Sequence, residues 1–278
     1  MTREIEIRPG VVIGGGRPFV LIAGPCVIES EDMTLRTAEK LRETAEALGI
    51  PFVFKASYDK ANRTSRASFR GPGLEKGLRV LEKVKREIAV PVLSDVHRFE
   101  EIEAASAVLD IVQVPAFLCR QTDFVQEAAR KARVLNIKKG QFVAPHDGRM
   151  ILDKAAAAGN ENITITERGY TFGYNDLVAD MRSLPVLRKT GYPVIFDATH
   201  SVQFPGGEGD ASGGDREMAV FLARAAIAAG VDGLFVEAHP DPPRALCDGP
   251  NSLYLDRLPD ILRLLRGIDD LVKEKERP

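Results

Sequence analysis

Residues 19–55 read FVLIAGPCVIESEDMTLRTAEKLRETAEALGIPFVFK, and this stretch decides the fold class. An unbroken apolar run at 19–23 is followed by a helical pattern at 34–48, which opens after acidic residues and ends at Gly49. A second apolar run follows at 51–55. Apolar runs without polar alternation are typical of parallel strands covered on both faces, and a glycine is a common helix stop. The stretch therefore predicts a strand–helix–strand unit.

The same unit recurs along the rest of the chain. Predicted strands lie at 19–23, 51–55, 91–94, 111–114, 134–138, 162–166, 193–197 and 233–237. Helical patterns cover 34–48, 74–88, 123–132, 215–229 and 255–273. Eight strands in about 250 residues favour a closed (β/α)₈ barrel, a TIM barrel of the α/β class, over an open doubly wound sheet. No linker divides the chain, so we expect one domain over 1–278, with a short N-terminal β-hairpin within 1–17.

A glycine-rich segment at 205–214 follows the seventh predicted strand. It holds five glycines in ten residues, which favours a mobile loop. In a barrel, a loop at this position would lie over the active site, as a lid does. A disordered connector without a function would have the same composition.

Composition and charge indicate which partners and which cellular compartment to expect. The net charge of −2 gives no reason to expect nucleic acid or an anionic membrane as a partner. The three cysteines are too few, and odd in number, for a disulfide framework, which favours a reducing compartment. The N-terminal residues lack an apolar signal region, and no apolar run approaches the roughly 20 residues of a membrane span. We therefore expect a cytoplasmic protein.

Polar side chains gather where each predicted strand ends, which is where barrel enzymes carry their catalytic groups. These residues are Cys26, Glu29, Lys55, Lys60, Asn62, Arg63, Asp95, His97, Gln113, Arg120, Lys138, Arg168, His200, Gln203, Glu237, His239 and Asp248. Six of them are cations, which suits substrates that carry two phosphates and a carboxylate. A solvated surface position is the ordinary alternative for any one of these cations, and their clustering favours the site.

A second subset combines one thiol, one imidazole and two carboxylates: Cys26, His200, Glu237 and Asp248. Their strands are the first, seventh and eighth, which become neighbours when a barrel closes. Mixed S, N and O donors suit one divalent ion such as Fe, Zn, Mn or Co. The spacing matches no local zinc motif, and a buried free thiol is the alternative for Cys26. We interpret Cys119 as a packing residue, and an extended backbone would point Cys247 away from Asp248.

Seven strings, taken in order, carry a resemblance to a known family. They are LIAGPCVIES (21–30), FKASYDKANRTS (54–65), QVPAFLCRQTD (113–123), NIKKGQF (136–142), FDATHSVQ (196–203), EAHPDP (237–242) and CDGP (247–250). The chain resembles the 3-deoxy-D-manno-octulosonate 8-phosphate synthases essentially end to end. Metal-independent members of that family carry Asn at the position of Cys26, so the chain resembles the metal-dependent class.

The resemblance also implies roles for the residues at the strand ends. Lys138 and Arg168 would hold the phosphate of phosphoenolpyruvate, with Ala116 contributing backbone, and Lys55 and Lys60 would face its carboxylate and reacting end. The aldose phosphate would be bound by Asn62, Arg63 and Thr64, with Arg120 reaching in from a neighbouring subunit of a homotetramer. Many relatives have Ser at position 64, but both residues offer a hydroxyl donor. Gln113 and Gln203 complete the predicted substrate-binding set, and Asp95, His97 and Asp248 are the candidates for proton handling.

The implied reaction joins phosphoenolpyruvate to D-arabinose 5-phosphate and releases inorganic phosphate, a step towards lipopolysaccharide. The metal would stabilise the aldehyde oxygen or activate water, and the sequence leaves both roles open. One rival is a 3-deoxy-D-arabino-heptulosonate 7-phosphate synthase, which uses erythrose 4-phosphate. That family carries Lys-Pro-Arg where this chain reads KANR at 60–63. A barrel that binds a phosphorylated metabolite without catalysis is the rival from another class.

Overall fold

A computed structural model describes residues 1–63, 65, 68–204 and 213–276. Eight parallel strands close into a barrel, in which each strand pairs with the next and the last pairs with the first. In chain order they are β3 (Val20–Gly24), β4 (Phe52–Lys55), β5 (Val92–Asp95), β6 (Ile111–Val114), β7 (Val134–Lys138), β8 (Ile163–Glu167), β11 (Val194–Asp197) and β14 (Gly233–His239). All eight predicted strands are confirmed, and the fold is the predicted (β/α)₈ barrel.

Helices cover the outside of the barrel. Those in the described part are α1 (Glu31–Ala47), α2 (Leu74–Glu87), α3 (Phe99–Val108), α4 (Thr122–Lys131), α5 (Gly148–Ala156), α6 (Ser183–Arg188), α7 (Arg216–Ala228) and α8 (Leu258–Glu276). The first helix begins three residues before its predicted start because the Ser30 side chain accepts a hydrogen bond from the Met33 N–H, which caps the helix at Glu31. The sequence patterns did not predict α3, α5 and α6, which are short and repeat their apolar spacing only once or twice.

An antiparallel hairpin of β1 (Ile5–Arg8) and β2 (Val11–Ile13) precedes the barrel, as predicted. Its residues Ile5, Ile7 and Ile13 are buried against the side chains that fill the barrel interior, among them Val20 and Phe235. The hairpin therefore closes the N-terminal mouth, and the opposite, C-terminal mouth is the open one.

Short strands and turns surround the C-terminal mouth. They are β9 (Tyr170–Gly173) paired with β10 (Asp176–Val178), β12 (Gln203–Phe204) paired with β13 (Gly213–Gly214), and β15 (Leu253–Tyr254) beside β14. The segment at 205–214 that we predicted to be a mobile loop lies, apart from the two residues of β13, outside the described residues. None of the described helices is both long enough and apolar enough to cross a membrane.

Candidate active site

A cavity of about 370 Å³ opens at the C-terminal mouth of the barrel. Most of the predicted site residues line it: Lys55, Lys60, Asn62, Arg63, Asp95, His97, Gln113, Ala116, Lys138, Arg168, His200, Gln203 and Asp248. Thr64 lies outside the described residues. The residues that the strand-end rule selected come from almost every barrel strand and line one cavity, which makes this cavity the candidate site.

Five lysines and arginines line this cavity: Lys55, Lys60, Arg63, Lys138 and Arg168. Lys55 and Lys138 are the last residues of β4 and β7, and both are buried together with Arg168. Burial lowers the pKa of Lys138, and the neighbouring charges of Lys55 and Arg168 add to that effect, while Asp197 opposes it. Burying these cations costs desolvation energy, and their like charges repel one another. A bound anion would offset both costs, so the cluster is suited to bind an anion.

Arg168 is held in place by two residues of the segment that follows β11. Its Nη2 donates to the carbonyl oxygen of His200 at 3.1 Å and to Oε1 of Gln203 at 3.2 Å. These bonds leave the rest of the guanidinium free to face the cavity that it lines. In the described structure, Gln203 therefore contacts Arg168.

The four predicted metal ligands lie beside these cations in two groups that share Asp248: Cys26 with Cys247 and Asp248, and His200 with Glu237 and Asp248. One potential ligand atom each from His200, Glu237 and Asp248 lies within 4.8 Å of the others. The Nε2 atom of His200 is 3.4 Å from Oε1 of Glu237, and Sγ of Cys26 is 3.3 Å from Oδ2 of Asp248. The arrangement joins residues that are more than 200 positions apart in sequence.

These donors fit a divalent cation. Glu237 is fully buried, and neither of its carboxylate oxygens accepts a hydrogen bond from any described residue. Burial raises the pKa of the Cys26 thiol, and the adjacent thiol and carboxylates raise it further, so a thiolate there needs a cation. A buried carboxylate without hydrogen bonds, next to a thiol and an imidazole, can serve as a ligand set for a borderline metal ion.

Cys247 corrects one of the sequence interpretations. We expected an extended backbone to point it away from Asp248, but Asp248 adopts φ = +48°, a left-handed conformation that turns the chain. The Cys247 Sγ lies 2.7 Å from Sγ of Cys26 and 3.0 Å from Nη1 of Arg63. Cys247 thus lies beside the predicted ligands. The pattern of apolar and polar residues in the sequence does not predict the left-handed turn at Asp248 that brings it there. Cys119, by contrast, is fully buried and accepts a hydrogen bond from the Gly140 N–H, as expected of a packing residue.

His97 and Asp95 form an ion pair at the cavity wall. The Nε2 atom of His97 is 2.7 Å from Oδ2 of Asp95, whose Oδ1 accepts from the Ser57 hydroxyl at 2.6 Å. Burial alone would lower the pKa of His97, but the charge of Asp95 outweighs it and raises the pKa to about 9. At neutral pH the pair is therefore an imidazolium beside a carboxylate, and the imidazolium can donate a proton.

Asp197 is a site residue that the sequence reasoning missed. It is the last residue of β11, and its Oδ2 lies 2.6 Å from Nζ of Lys138 and 2.8 Å from Nδ1 of His200. The same strand-end rule that found Lys138 could have found it, but we assigned Asp197 to the strand itself.

Arg120 is placed differently from the other predicted site residues. Its side chain is exposed, and its backbone oxygen accepts a hydrogen bond from Nζ of Lys154 at 2.9 Å. It does not line the cavity of its own chain. The contact of Arg120 to another subunit therefore stays a prediction.

Comparisons with known proteins show the family of the chain. The sequence profile of the DAHP synthetase I family matches residues 3–274. Over 274 residues the chain is 61% identical to the 2-dehydro-3-deoxyphosphooctonate aldolase of Geobacter sp. (strain M21), covering 99% of this chain and 100% of that protein. Proteins of the same name from Geotalea daltonii and Geobacter sulfurreducens are each 60% identical over 273 residues, covering 98% of this chain and 100% of theirs. Since both the profile and these relatives align with nearly every residue, the chain belongs to the DAHP synthetase I family.

Proposed function

We propose that this chain is a 3-deoxy-D-manno-octulosonate 8-phosphate synthase, which condenses phosphoenolpyruvate, D-arabinose 5-phosphate and water. The observation that carries the proposal is a cavity lined by buried cations beside two groups of potential metal donors that share Asp248. The printed name of its relatives, 2-dehydro-3-deoxyphosphooctonate aldolase, supports the same product. The chain acts as one barrel domain over residues 1–278 in the cytoplasm, with neither nucleic acid nor membrane as a partner.

The substrates divide the cavity between them. Lys138 and Arg168 bind the phosphate of phosphoenolpyruvate beside the backbone of Ala116, while Lys55 and Lys60 face its carboxylate. Asn62, Arg63 and Thr64 bind the phosphate of the aldose, and Arg120 joins them from a neighbouring subunit of a homotetramer. Gln113 lines the same wall, and Gln203 holds Arg168 in position.

In the reaction, the π electrons of the enol form a bond from C3 of phosphoenolpyruvate to the aldehyde carbon of the pentose. The oxygen of water bonds to C2, and the bond between C2 and the phosphate oxygen then breaks to leave a ketone and inorganic phosphate. Of the two protons of that water, one leaves with the phosphate and the other replaces the proton that the aldehyde oxygen takes up. Fixing two anions within bonding distance removes an entropic barrier of up to roughly 7–11 kcal/mol. The cations of the cavity offset the repulsion between the substrates.

His97 supplies the proton that the aldehyde oxygen needs as it gains negative charge. Asp95 keeps the imidazole protonated at neutral pH, because its carboxylate raises the pKa of His97 to about 9. Cys26, His200, Glu237 and Asp248 would hold one divalent ion of Fe, Zn, Mn or Co. When bound, that ion supplies Lewis-acid chemistry to an oxygen or a water in the cavity.

The test measures inorganic phosphate released by purified protein that has been treated with a chelator. We expect release only when both phosphoenolpyruvate and arabinose 5-phosphate are present and a divalent ion is restored. A higher rate with erythrose 4-phosphate would assign the chain to the heptulosonate synthases instead, and binding of both substrates without phosphate release would make it a sensor. Full activity of the stripped protein would remove the metal from the proposal.

Two cysteine variants test whether Cys26 is a metal ligand or only a buried thiol. Removing a residue that only supports a metal ligand typically costs about 10- to 100-fold in activity. Cys26→Ala removes a ligand itself, so its metal-dependent rate of phosphate release should fall by more than that. Cys119→Ala removes an equally buried thiol outside the cavity and should keep its activity. Equal effects of the two substitutions would contradict the assignment of Cys26 as a ligand.

A further inference from the structure

Asp197 lies where the metal donors meet the phosphate-binding cations. It ends β11, which pairs with β8 on one side and β14 on the other, and its side chain is fully buried. Its Oδ1 accepts from the backbone N–H of His200 at 3.0 Å and from the Thr199 hydroxyl at 3.3 Å. Its Oδ2 lies 2.8 Å from Nδ1 of His200 and 2.6 Å from Nζ of Lys138. Every contact on this carboxylate is therefore with a donor.

The contact to His200 selects the form of the imidazole that can bind a metal. Both ring nitrogens of His200 face carboxylates, but Nδ1 is 2.8 Å from Asp197, whereas Nε2 is 3.4 Å from Glu237 and 3.9 Å from Asp248. The contact to Asp197 has the distance of a good hydrogen bond and a carboxylate oxygen only accepts, so the one proton of the neutral ring lies on Nδ1 and the lone pair of Nε2 faces the other two carboxylates. Metal-bound histidines commonly donate their second ring N–H to a carboxylate, which fixes both the tautomer and the orientation of the ring.

Lys138 would compete for the same ring nitrogen without this carboxylate. Its Nζ is 3.4 Å from Nδ1 of His200, and an ammonium group only donates. If Asp197 did not accept from both, Lys138 would donate to Nδ1 and leave the ring proton on Nε2, where a metal ion must bind. Asp197 also fixes the ammonium above the ring of Phe235, with Nζ 4.1 Å from the ring centre.

We propose that Asp197 is a positioning residue that serves both halves of the site, directing Nε2 of His200 towards the metal and the ammonium of Lys138 towards the substrate phosphate. The proposal rests on the function proposed above. One substitution at position 197 should weaken the binding of metal and should also weaken the binding of phosphoenolpyruvate to protein that is saturated with metal, although Asp197 touches neither of them.

The experiment compares Asp197→Asn with Asp232→Asn, which removes another buried carboxylate next to the same strand. Asp232 accepts from the N–H of Val194, the first residue of β11, and from the hydroxyl of Thr2, at the closed mouth of the barrel. Co²⁺ affinity is measured by competition with a coloured chelator, and phosphoenolpyruvate affinity by calorimetry on the Co²⁺-loaded protein. Neither readout requires turnover.

We expect Asp197→Asn to weaken Co²⁺ binding about 10- to 100-fold and to weaken phosphoenolpyruvate binding as well, with both affinities unchanged in Asp232→Asn. Wild-type affinities in Asp197→Asn, or equal losses in both variants, would overturn the positioning role. A wild-type protein that binds neither Co²⁺ nor phosphoenolpyruvate would instead refute the proposed function.

A measurement on the wild-type protein tests the inference if Asp197→Asn does not fold. Nitrogen NMR of histidine-labelled, metal-free protein reports the tautomer of each neutral imidazole, and His200→Gln assigns the signal. We expect the proton of neutral His200 on Nδ1. A proton on Nε2 would overturn the inference.

Discussion

The ion pair of His97 and Asp95 predicts a histidine that keeps its proton far above neutral pH. Only 9% of the His97 side chain is exposed, and its Nε2 is 2.7 Å from a carboxylate oxygen of Asp95. Burial favours the neutral ring, but Asp95 and the nearby Glu101 outweigh it and raise the pKa from 6.5 to about 9. At 1.36 kcal/mol for each pKa unit, this difference corresponds to about 3 kcal/mol of folding free energy.

The sign of the pH dependence follows from the direction of the shift. Between the unfolded and the folded pKa, the folded protein binds the proton of His97 and the unfolded chain does not. The contribution to stability is therefore fully present below about pH 6.5 and is lost as the pH rises through about 9. In His97→Gln this contribution is absent at every pH.

The assay is urea unfolding of metal-free protein at fixed concentration, for wild type and His97→Gln, at pH values on both sides of this range. We expect the difference in unfolding free energy between the two proteins to shrink by about 3 kcal/mol as the pH rises. His146 is exposed and outside the cavity, so His146→Gln is the matched control. Proton NMR of the ring should show a midpoint near 9. A midpoint near 6.5, or a difference in stability that does not change with pH, would refute the reasoning.

Two further substitutions test the surroundings of the site. Cys247→Ser should keep Co²⁺ affinity within about threefold, because we assign the sulfur ligand to Cys26 alone; a loss as large as that of Cys26→Ala would make Cys247 a ligand too. Gly24→Ala would place a Cβ 2.0 Å from the carbonyl oxygen of Lys55, so thermal unfolding should show a loss of about 1–3 kcal/mol or more. Gly267→Ala, with open space around its Cβ in α8, should be neutral or stabilising by up to about 1 kcal/mol, and an equal loss there would show that the close approach at Gly24 does not matter.

The barrel could be predicted because each of its strands is a continuous apolar run. Strands that are buried on both faces need no alternation, and the runs at 134–138 and 233–237 show this pattern as clearly as the first one. The hairpin of β9 and β10 escaped prediction for the opposite reason. Its residues are mostly exposed, Phe172 and Tyr174 among them, so no buried face imposes a period on the sequence.

The candidate site was predictable as a set of residues but not as a set of contacts. The strand-end rule brought His97 and Asp95 to the same mouth, but only the structure shows that they form an ion pair. The direction of the chain at Cys247 and Asp248 depends on the left-handed backbone of Asp248, which the expectation of an extended segment did not include. Asp197 could have been found, since it occupies the same strand-end position as Lys138.

The contacts between the two halves of the site also explain how a cavity can hold so many buried charges before any ligand arrives. Glu237 lies 3.5 Å from Nζ of Lys55 and 3.8 Å from Nζ of Lys60, and Asp248 lies 3.6 Å from Nη1 of Arg63. The carboxylates that we propose as metal ligands thus neutralise the cations that we propose as anion binders. A divalent ion that took up these carboxylates would leave the cations uncompensated, and an anionic substrate would then bind more tightly. By linkage, the substrate must raise the affinity for the ion by the same factor, so the two halves of the site are expected to fill together.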